Sequence, residues 1–178
     1  MVGTDISPAP AFSVSREVLE SLVAFLEGAE AAALGHGELE DAVEERGRAL
    51  LRQLYQDHLD LRAHREPRLQ KVVDAQGIPR GAAESSHEQA LATVFGEVEV
   101  RRIAYRKRGR QNLYPADAVL NLPRERHSHG LRRLAAVEAA RGSFDAAVEA
   151  VERSSGQEVG KRQVEELALA SAEDFDAF

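Results

Sequence analysis

The stretch Ser154-Ser155-Gly156-Gln157-Glu158-Val159-Gly160-Lys161-Arg162-Gln163-Val164 decides the fold, because helical patterns flank it on both sides. Before it, Phe144, Ala147, Val148 and Val151 fall at three-and-four spacing behind a candidate cap at Ser143 or Asp145. After it, a helix starting near Gly160 carries Val164, Leu167, Ala168 and Phe175. Further upstream, Ser128 is a candidate cap for Leu131, Leu134, Val137 and Glu138, a pattern that stops at Gly142. Three short helices with a Gly-containing turn between the last two have the proportions of a helix-turn-helix. In that unit the first residues of the last helix meet the major groove. Here they are Lys161, Arg162 and Gln163; Lys or Arg donates to guanine and Gln pairs with adenine. A solvated helix start has the same residue types, so both readings stand.

Working outward, Leu91 to Phe95 and Val98, Val100 and Tyr105 flank Gly96, with Glu97, Glu99 and Arg101 alternating against the valines. This predicts a β-hairpin with strands about 91–95 and 97–105. Arg106-Lys107-Arg108-Gly109-Arg110 reads as a dense basic turn at its tip and exit. Residues 66–87, punctuated by Pro67, Gly77, Pro79 and Gly81, read as a linker with one short hairpin.

Towards the N-terminus, Val18, Leu19, Leu22, Phe25, Leu26 and Ala29 predict an amphipathic helix over about 15–34, with Ser13 and Ser15 as candidate caps. Leu39, Val43, Leu50, Leu54 and Leu61 step by 4, 7, 4 and 7 residues. They predict a second helix over 38–63, about 39 Å long. The short connection at His36-Gly37 implies an antiparallel hairpin whose apolar stripes face each other or a second copy of the chain. Gly47, inside the second helix, marks either a close helix crossing or a tolerated defect costing about 1 kcal/mol.

The 178 residues hold 23 Lys+Arg against 30 Asp+Glu, a net charge of −7 that by itself disfavours nucleic acid. By segment the balance is −8 over 1–60, −1 over 61–100, +8 over 101–133 and −6 over 134–178. The +8 segment holds ten basic residues: Arg101, Arg102, Arg106, Lys107, Arg108, Arg110, Arg124, Arg126, Arg132 and Arg133. Such a segment reads as a phosphate-binding surface, against the plainer alternative of a solvated face paired with carboxylates.

Zero Cys excludes disulfides and thiolate zinc sites. No apolar run approaches the roughly 18–20 residues of a spanning helix, and Met1 to Pro10 lacks the basic-then-apolar order of a signal peptide. A cytoplasmic protein without membrane partners is expected. Aromatic content of 5% without Trp makes a base-stacking platform for single strands a poor fit.

His127 and His129 lie two apart at a helix entry and do not share a face, so a metal role is not expected. Gly156-Gln157-Glu158-Val159-Gly160-Lys161-Arg162 has three residues between its glycines and Arg after Lys, which a phosphate loop does not. No G-x-S-x-G turn and no carboxylate pair on an apolar strand is present. Neither a catalytic constellation nor a cofactor is expected.

Several blocks carry a family resemblance. Glu45-Arg46-Gly47-Arg48, His58-Leu59-Asp60-Leu61-Arg62, Val94-Phe95-Gly96-Glu97-Val98, Tyr114-Pro115 and Leu120-Asn121-Leu122-Pro123 resemble the N-terminal half of ISKra-type insertion-sequence transposases. So do Ser128-His129-Gly130-Leu131-Arg132-Arg133, Ala139-Ala140-Arg141-Gly142-Ser143-Phe144-Asp145, Lys161-Arg162-Gln163-Val164-Glu165-Glu166-Leu167 and Asp174-Phe175-Asp176-Ala177-Phe178. The likeness spans roughly 38–178. It implies an enzyme family with an N-terminal DNA-binding portion followed by an RNase H-like domain holding a metal-binding acidic triad. The sequence in hand has no counterpart of that second domain, so the resemblance implies recognition of element ends without cleavage.

The expected architecture is mainly α with a small β-hairpin region (α+β). It comprises a loose N-terminus over 1–14, a dimerising helical hairpin over 15–63, a linker and basic β-hairpin over 64–126, and a helix-turn-helix over 127–178. The expected function is recognition of terminal inverted repeats in double-stranded DNA. Lys161, Arg162 and Gln163 would read base edges, and Arg106, Lys107, Arg108, Arg110, Arg132 and Arg133 would hold the backbone. The other expectations are a helical module that pairs with and regulates a full-length transposase, as homodimer or mixed oligomer, and an inactive remnant.

Overall fold

Residues 11–173 are described in a computed structural model, an α+β chain that divides into two units, Met1–His64 and Arg65–Phe178. Expectations for Met1 to Pro10 and for Asp174 to Phe178, Phe175 included, lie outside the described residues.

The first unit contains α1 (Ser13–Glu27), α2 (Ala29–Ala33) and α3 (His36–His64). The single helix expected over 15–34 is two. Gly28 takes an extended conformation (φ −85°, ψ 164°), and a Cβ there would lie 3.2 Å from the carbonyl oxygens of Ala24 and Phe25. Glycine therefore permits the close turn that breaks the helix. Neither predicted serine is the cap, since Phe12 occupies that position in the left-handed region without a side-chain bond. Ser15 is buried, and both its N–H and its hydroxyl donate to Asp57 Oδ2, at 3.0 and 2.6 Å. One helical length away, the Arg46 guanidinium lies 3.9 Å from the Phe25 ring centroid. These two contacts set α1 antiparallel to α3. A Cβ on Gly47 meets nothing within 4 Å, so among the described residues no helix crossing requires glycine there.

In the second unit, β1 (Val72–Val73) pairs antiparallel with β2 (Pro79–Arg80), and β3 (Ala82–Thr93) with β4 (Gly96–Arg106). The first strand of the hairpin is more than twice as long as the pattern predicts, because residues 82–90 are largely exposed and carry Glu84-Ser85-Ser86 without apolar alternation. The register shifts between Glu84 and His87, and Ser86 has φ 61°, the geometry of a bulge. Val94 and Phe95 form the tip. Its serine-like lock is Thr93, whose hydroxyl donates to Gly96 O at 2.6 Å and accepts from Phe95 N–H at 3.1 Å. The basic run 106–110 lies at the opposite end of the strands, which corrects its expected place at the tip.

A short helix that the pattern did not predict, α4 (Pro115–Leu120), starts at a proline, a residue suited to the first helical turn. Then come α5 (His129–Arg141), α6 (Phe144–Ser155) and α7 (Lys161–Glu173). Ser128 and Ser143 cap α5 and α6 by accepting from Leu131 and Ala146 N–H, each at 3.2 Å. One core joins these helices to the hairpin: Leu131, Ala135, Ala147, Val151, Val159, Val164 and Leu167 pack with Ala92.

Asp57 gives the first unit a pH dependence. Burial pushes its carboxyl up, but hydrogen bonds from the Ser15 hydroxyl, Gln53 and Ser15 N–H outweigh that and hold it below the ordinary 3.8. A depressed folded value stabilises above 3.8 and the contribution disappears as pH falls through the folded value. Helical ellipticity melts between pH 5 and pH 2 are expected to show this loss in the parent and a smaller one in Asp57→Asn.

Candidate nucleic-acid interface

The turn between α6 and α7 is built by its own residues. Gly156 closes α6 at φ 65°, where glycine is favoured, and its N–H bonds Glu152 O at 2.7 Å. Ser155 is fully buried, its hydroxyl donating to Val151 O at 2.7 Å and accepting from Gln157 N–H at 3.2 Å. Val159 projects from the turn into the core beside Val164, both essentially inaccessible. With Val164 and Leu167 facing inward, Lys161, Arg162 and Gln163 face solvent.

Each of the three already has a local partner. Lys161 Nζ meets Asp145 Oδ2 at 2.7 Å, and Arg162 Nε meets Glu166 Oε1 at 3.0 Å. Gln163 Oε1 accepts from Gly160 N–H at 3.3 Å, reaching back over the first turn of α7 as a capping residue does. The two ion pairs are exposed and weak, so a phosphate or a base edge can replace them. Residues 144–172 hold 3 basic and 6 acidic residues, so Lys161 and Arg162 are cations within an acidic stretch of sequence.

The other predicted contacts lie elsewhere. Arg132 and Arg133 are near the start of α5, where they line a shallow depression with Ala170 and Ser171 of α7. Nine residues of helix, about 14 Å, separate those α7 positions from Lys161. Arg132 also pairs with Glu125 at 3.3 Å. Arg106, Lys107, Arg108 and Arg110 are exposed at the end of β4 remote from the tip, and Arg106 pairs with Glu84. The tip end is the one that touches the helices, through Val94 against Gly130 and a bridge between Ala92 and His127. At about 3.3 Å per residue, β4 sets Arg106 roughly 33 Å from that junction. The predicted site residues thus fall into three separate groups.

Half of the ten cations of residues 101–133 form ion pairs: Arg101 with Glu88 and Glu99, Arg102 with Asp117, Arg106 with Glu84, Arg126 with Glu97, and Arg132 with Glu125. Arg102 is buried and plainly structural. Its guanidinium donates to Gln89 Oε1 at 2.5 Å, lies 2.5 Å from Asp117 Oδ1 and stacks over Tyr114 at 4.3 Å. Burial raises the Asp117 carboxyl despite that arginine, and burial likewise raises Glu66, whose Oε2 accepts from Ile103 N–H at 2.9 Å.

His129 Nε2 donates to Asn121 O at 2.9 Å, and burial, then Arg126 and Arg132, hold the His127 imidazole below its usual 6.5. Among the described residues no group of three or more His, Asp or Glu side chains is placed to hold a metal ion. No described helix is long and apolar enough to cross a membrane.

The chain belongs to an uncharacterised protein family, UPF0236, whose family model matches residues 34–172. The match covers all three groups of predicted contacts. Neither a curated protein nor a solved structure matches it.

Because the ion pairs of α7 are exposed, replacing Lys161, Arg162 and Gln163 together by alanine is expected to change unfolding free energy by less than about 1 kcal/mol. Leu131→Ala, in the core of the same unit, is expected to cost about 2–5 kcal/mol. Urea denaturation of the two variants measures the contrast.

Proposed function

We propose that this chain is the DNA-recognition region of an ISKra-type transposase, binding terminal inverted repeats in duplex DNA without performing cleavage. The observation that carries this reading is the α6–turn–α7 unit. Its core residues Val159, Val164 and Leu167 face inward, and Lys161, Arg162 and Gln163 stand exposed on the first turn of α7. Their donors match guanine and adenine edges in a major groove. The resemblance of the sequence blocks 45–62, 94–123 and 128–167 to those transposases supports the same reading.

Selection of duplexes from a random library by the full chain tests it. An enriched motif that disappears in the Lys161→Ala, Arg162→Ala, Gln163→Ala triple variant is the expected result. Retention of the same motif at equal affinity would remove α7 from the reading role.

A second reading, a helical interaction module, is favoured by the first unit. Among the described residues of that unit only Ser15, Ala31, Asp57 and Leu59 are buried, whereas Val14, Leu19, Val23 and Leu26 of α1 and Val43, Leu51 and Leu54 of α3 are exposed. Pairing of these stripes with a second copy, or with a full-length transposase, would cover them. Sedimentation equilibrium of the chain without DNA is expected to show a dimer that Leu19→Glu with Leu26→Glu converts to monomer.

A further inference from the structure

The open end of the β3–β4 hairpin contains a cavity of about 210 Å³ lined by Arg68, Leu69, Arg80, Gly81, Ala83 and Tyr105. None of these residues is a candidate contact in the sequence, because β1 and β2 are two residues each and too short for periodicity. Val72 packs with Ile103 and Tyr105, which fastens the 68–80 segment over the end of the hairpin.

The residues that line this cavity hold more donors than acceptors. The Arg80 side chain is 4% exposed; its Nη2 meets Asp74 Oδ2 at 3.1 Å, while Nε and Nη1 are buried with no hydrogen-bond partner. A buried unsatisfied donor costs about 1–3 kcal/mol, more when charged, and native structures usually supply it an acceptor. Tyr105 is equally buried. Its hydroxyl oxygen accepts Leu69 N–H at 2.7 Å, which leaves the hydroxyl proton available for donation. Arg68 is exposed at the rim.

The carboxylates nearby are already engaged. Asp74 accepts from Ile78 and Gln76 N–H at 2.8 and 3.0 Å besides pairing with Arg80, and Glu84 pairs with Arg106. Lys71, Lys107, Arg108 and Arg110, exposed on the adjoining segments, add positive charge, and Arg110 acts on Asp74 electrostatically. A guanidinium with free donors, a phenol proton and a surrounding excess of cations are the chemistry of a tetrahedral oxyanion site.

We propose that this cavity binds a phosphate group, with Arg80 and Tyr105 donating from within and Arg68 closing the rim, and that its natural source is the phosphodiester backbone of DNA. The source rests on the DNA-recognition reading; the cavity does not. A free phosphate shares the chemistry, and the test separates the two.

Gly81 lines the cavity, and a Cβ built on it meets nothing within 4 Å, so Gly81→Glu starts a carboxylate side chain from open space beside the cavity. Arg68→Gln neutralises the rim from an exposed position and keeps the test valid if the first variant unfolds. Arg80→Met would leave Asp74 unpaired and is a poorer probe. The full chain and both variants are compared in two assays. One is the thermal shift given by inorganic phosphate over chloride at equal ionic strength. The other is binding of a non-specific duplex as a function of salt, which leaves base reading by α7 out of the measurement.

The expected result is a lower duplex affinity in both variants and a logarithmic salt dependence shallower by about one in Arg68→Gln, as for the loss of one phosphate contact. A phosphate thermal shift lost in the variants, without a change in duplex binding, would support the site and assign it to free phosphate. Parent and variants alike in both assays would overturn the proposal, the cavity then holding only water. A failed library selection for α7 would leave either result standing.

Discussion

The second unit depends on one short piece of backbone pairing. Ala92 N–H donates to Arg126 O at 2.8 Å, and Ser128 N–H donates to Ala92 O at 2.9 Å. This two-bond bridge attaches the segment entering α5 to the edge of β3. It also satisfies polar groups at a position that would otherwise be a buried strand edge. Ala92 is itself part of the core formed by α5, α6 and α7, with Val94 packed against it. The hairpin is therefore the fourth wall of the helical core, and its direction is fixed by the start of α5. Because Ser128 is both the end of the bridge and the cap of α5, the same residue sets the position and the start of the helix.

Charge in this chain is arranged by pairing more than by segregation. The strongly basic stretch of sequence folds so that Arg101, Arg102 and Arg106 of β4, and Arg126 and Arg132 around the start of α5, meet carboxylates from both strands, from α4 and from the segment before α5. The net excess that remains is concentrated at the hairpin's open end. Arg102 is the extreme case. It is counted as a cation in the sequence, yet in the fold it is a buried strut between Gln89, Asp117 and Tyr114. Removing Asp117 would leave the buried Arg102 guanidinium without its counter-charge, which is destabilising for a group out of reach of water.

The ends of α5 and α6 are the most legible feature, because their signals are local. Ser128, Ser143, Gly142 and Gly156 each act through atoms within four residues. The inward face of α7 was equally readable from Val164 and Leu167. Strand extent was not, since the first half of β3 is exposed on an edge and carries no period-two pattern. The break at Gly28 leaves no mark in the sequence, because the apolar spacing continues through it and only the extended backbone distinguishes a turn there. Among the candidate contacts, Lys161, Arg162 and Gln163 could be chosen from sequence because they are consecutive on one helix turn. Arg68, Arg80 and Tyr105 could not, for they approach one another only through the long-range packing of the β1–β2 hairpin on β4.

The long strand β4 acts as a spacer of fixed length. A two-stranded ribbon anchored in a core at one end and tied by Val72, Ile103 and Tyr105 at the other resists bending more than a linker of equal length. Its roughly 33 Å span is close to the 34–36 Å of one turn of B-form duplex. On the proposed reading, a backbone grip at the open end and a base-reading helix near the tip end would engage the same side of the double helix. Strand length would then dictate operator geometry: inserting residues into β3 and β4 in pairs would rotate one contact out of phase with the other while leaving both local structures unchanged.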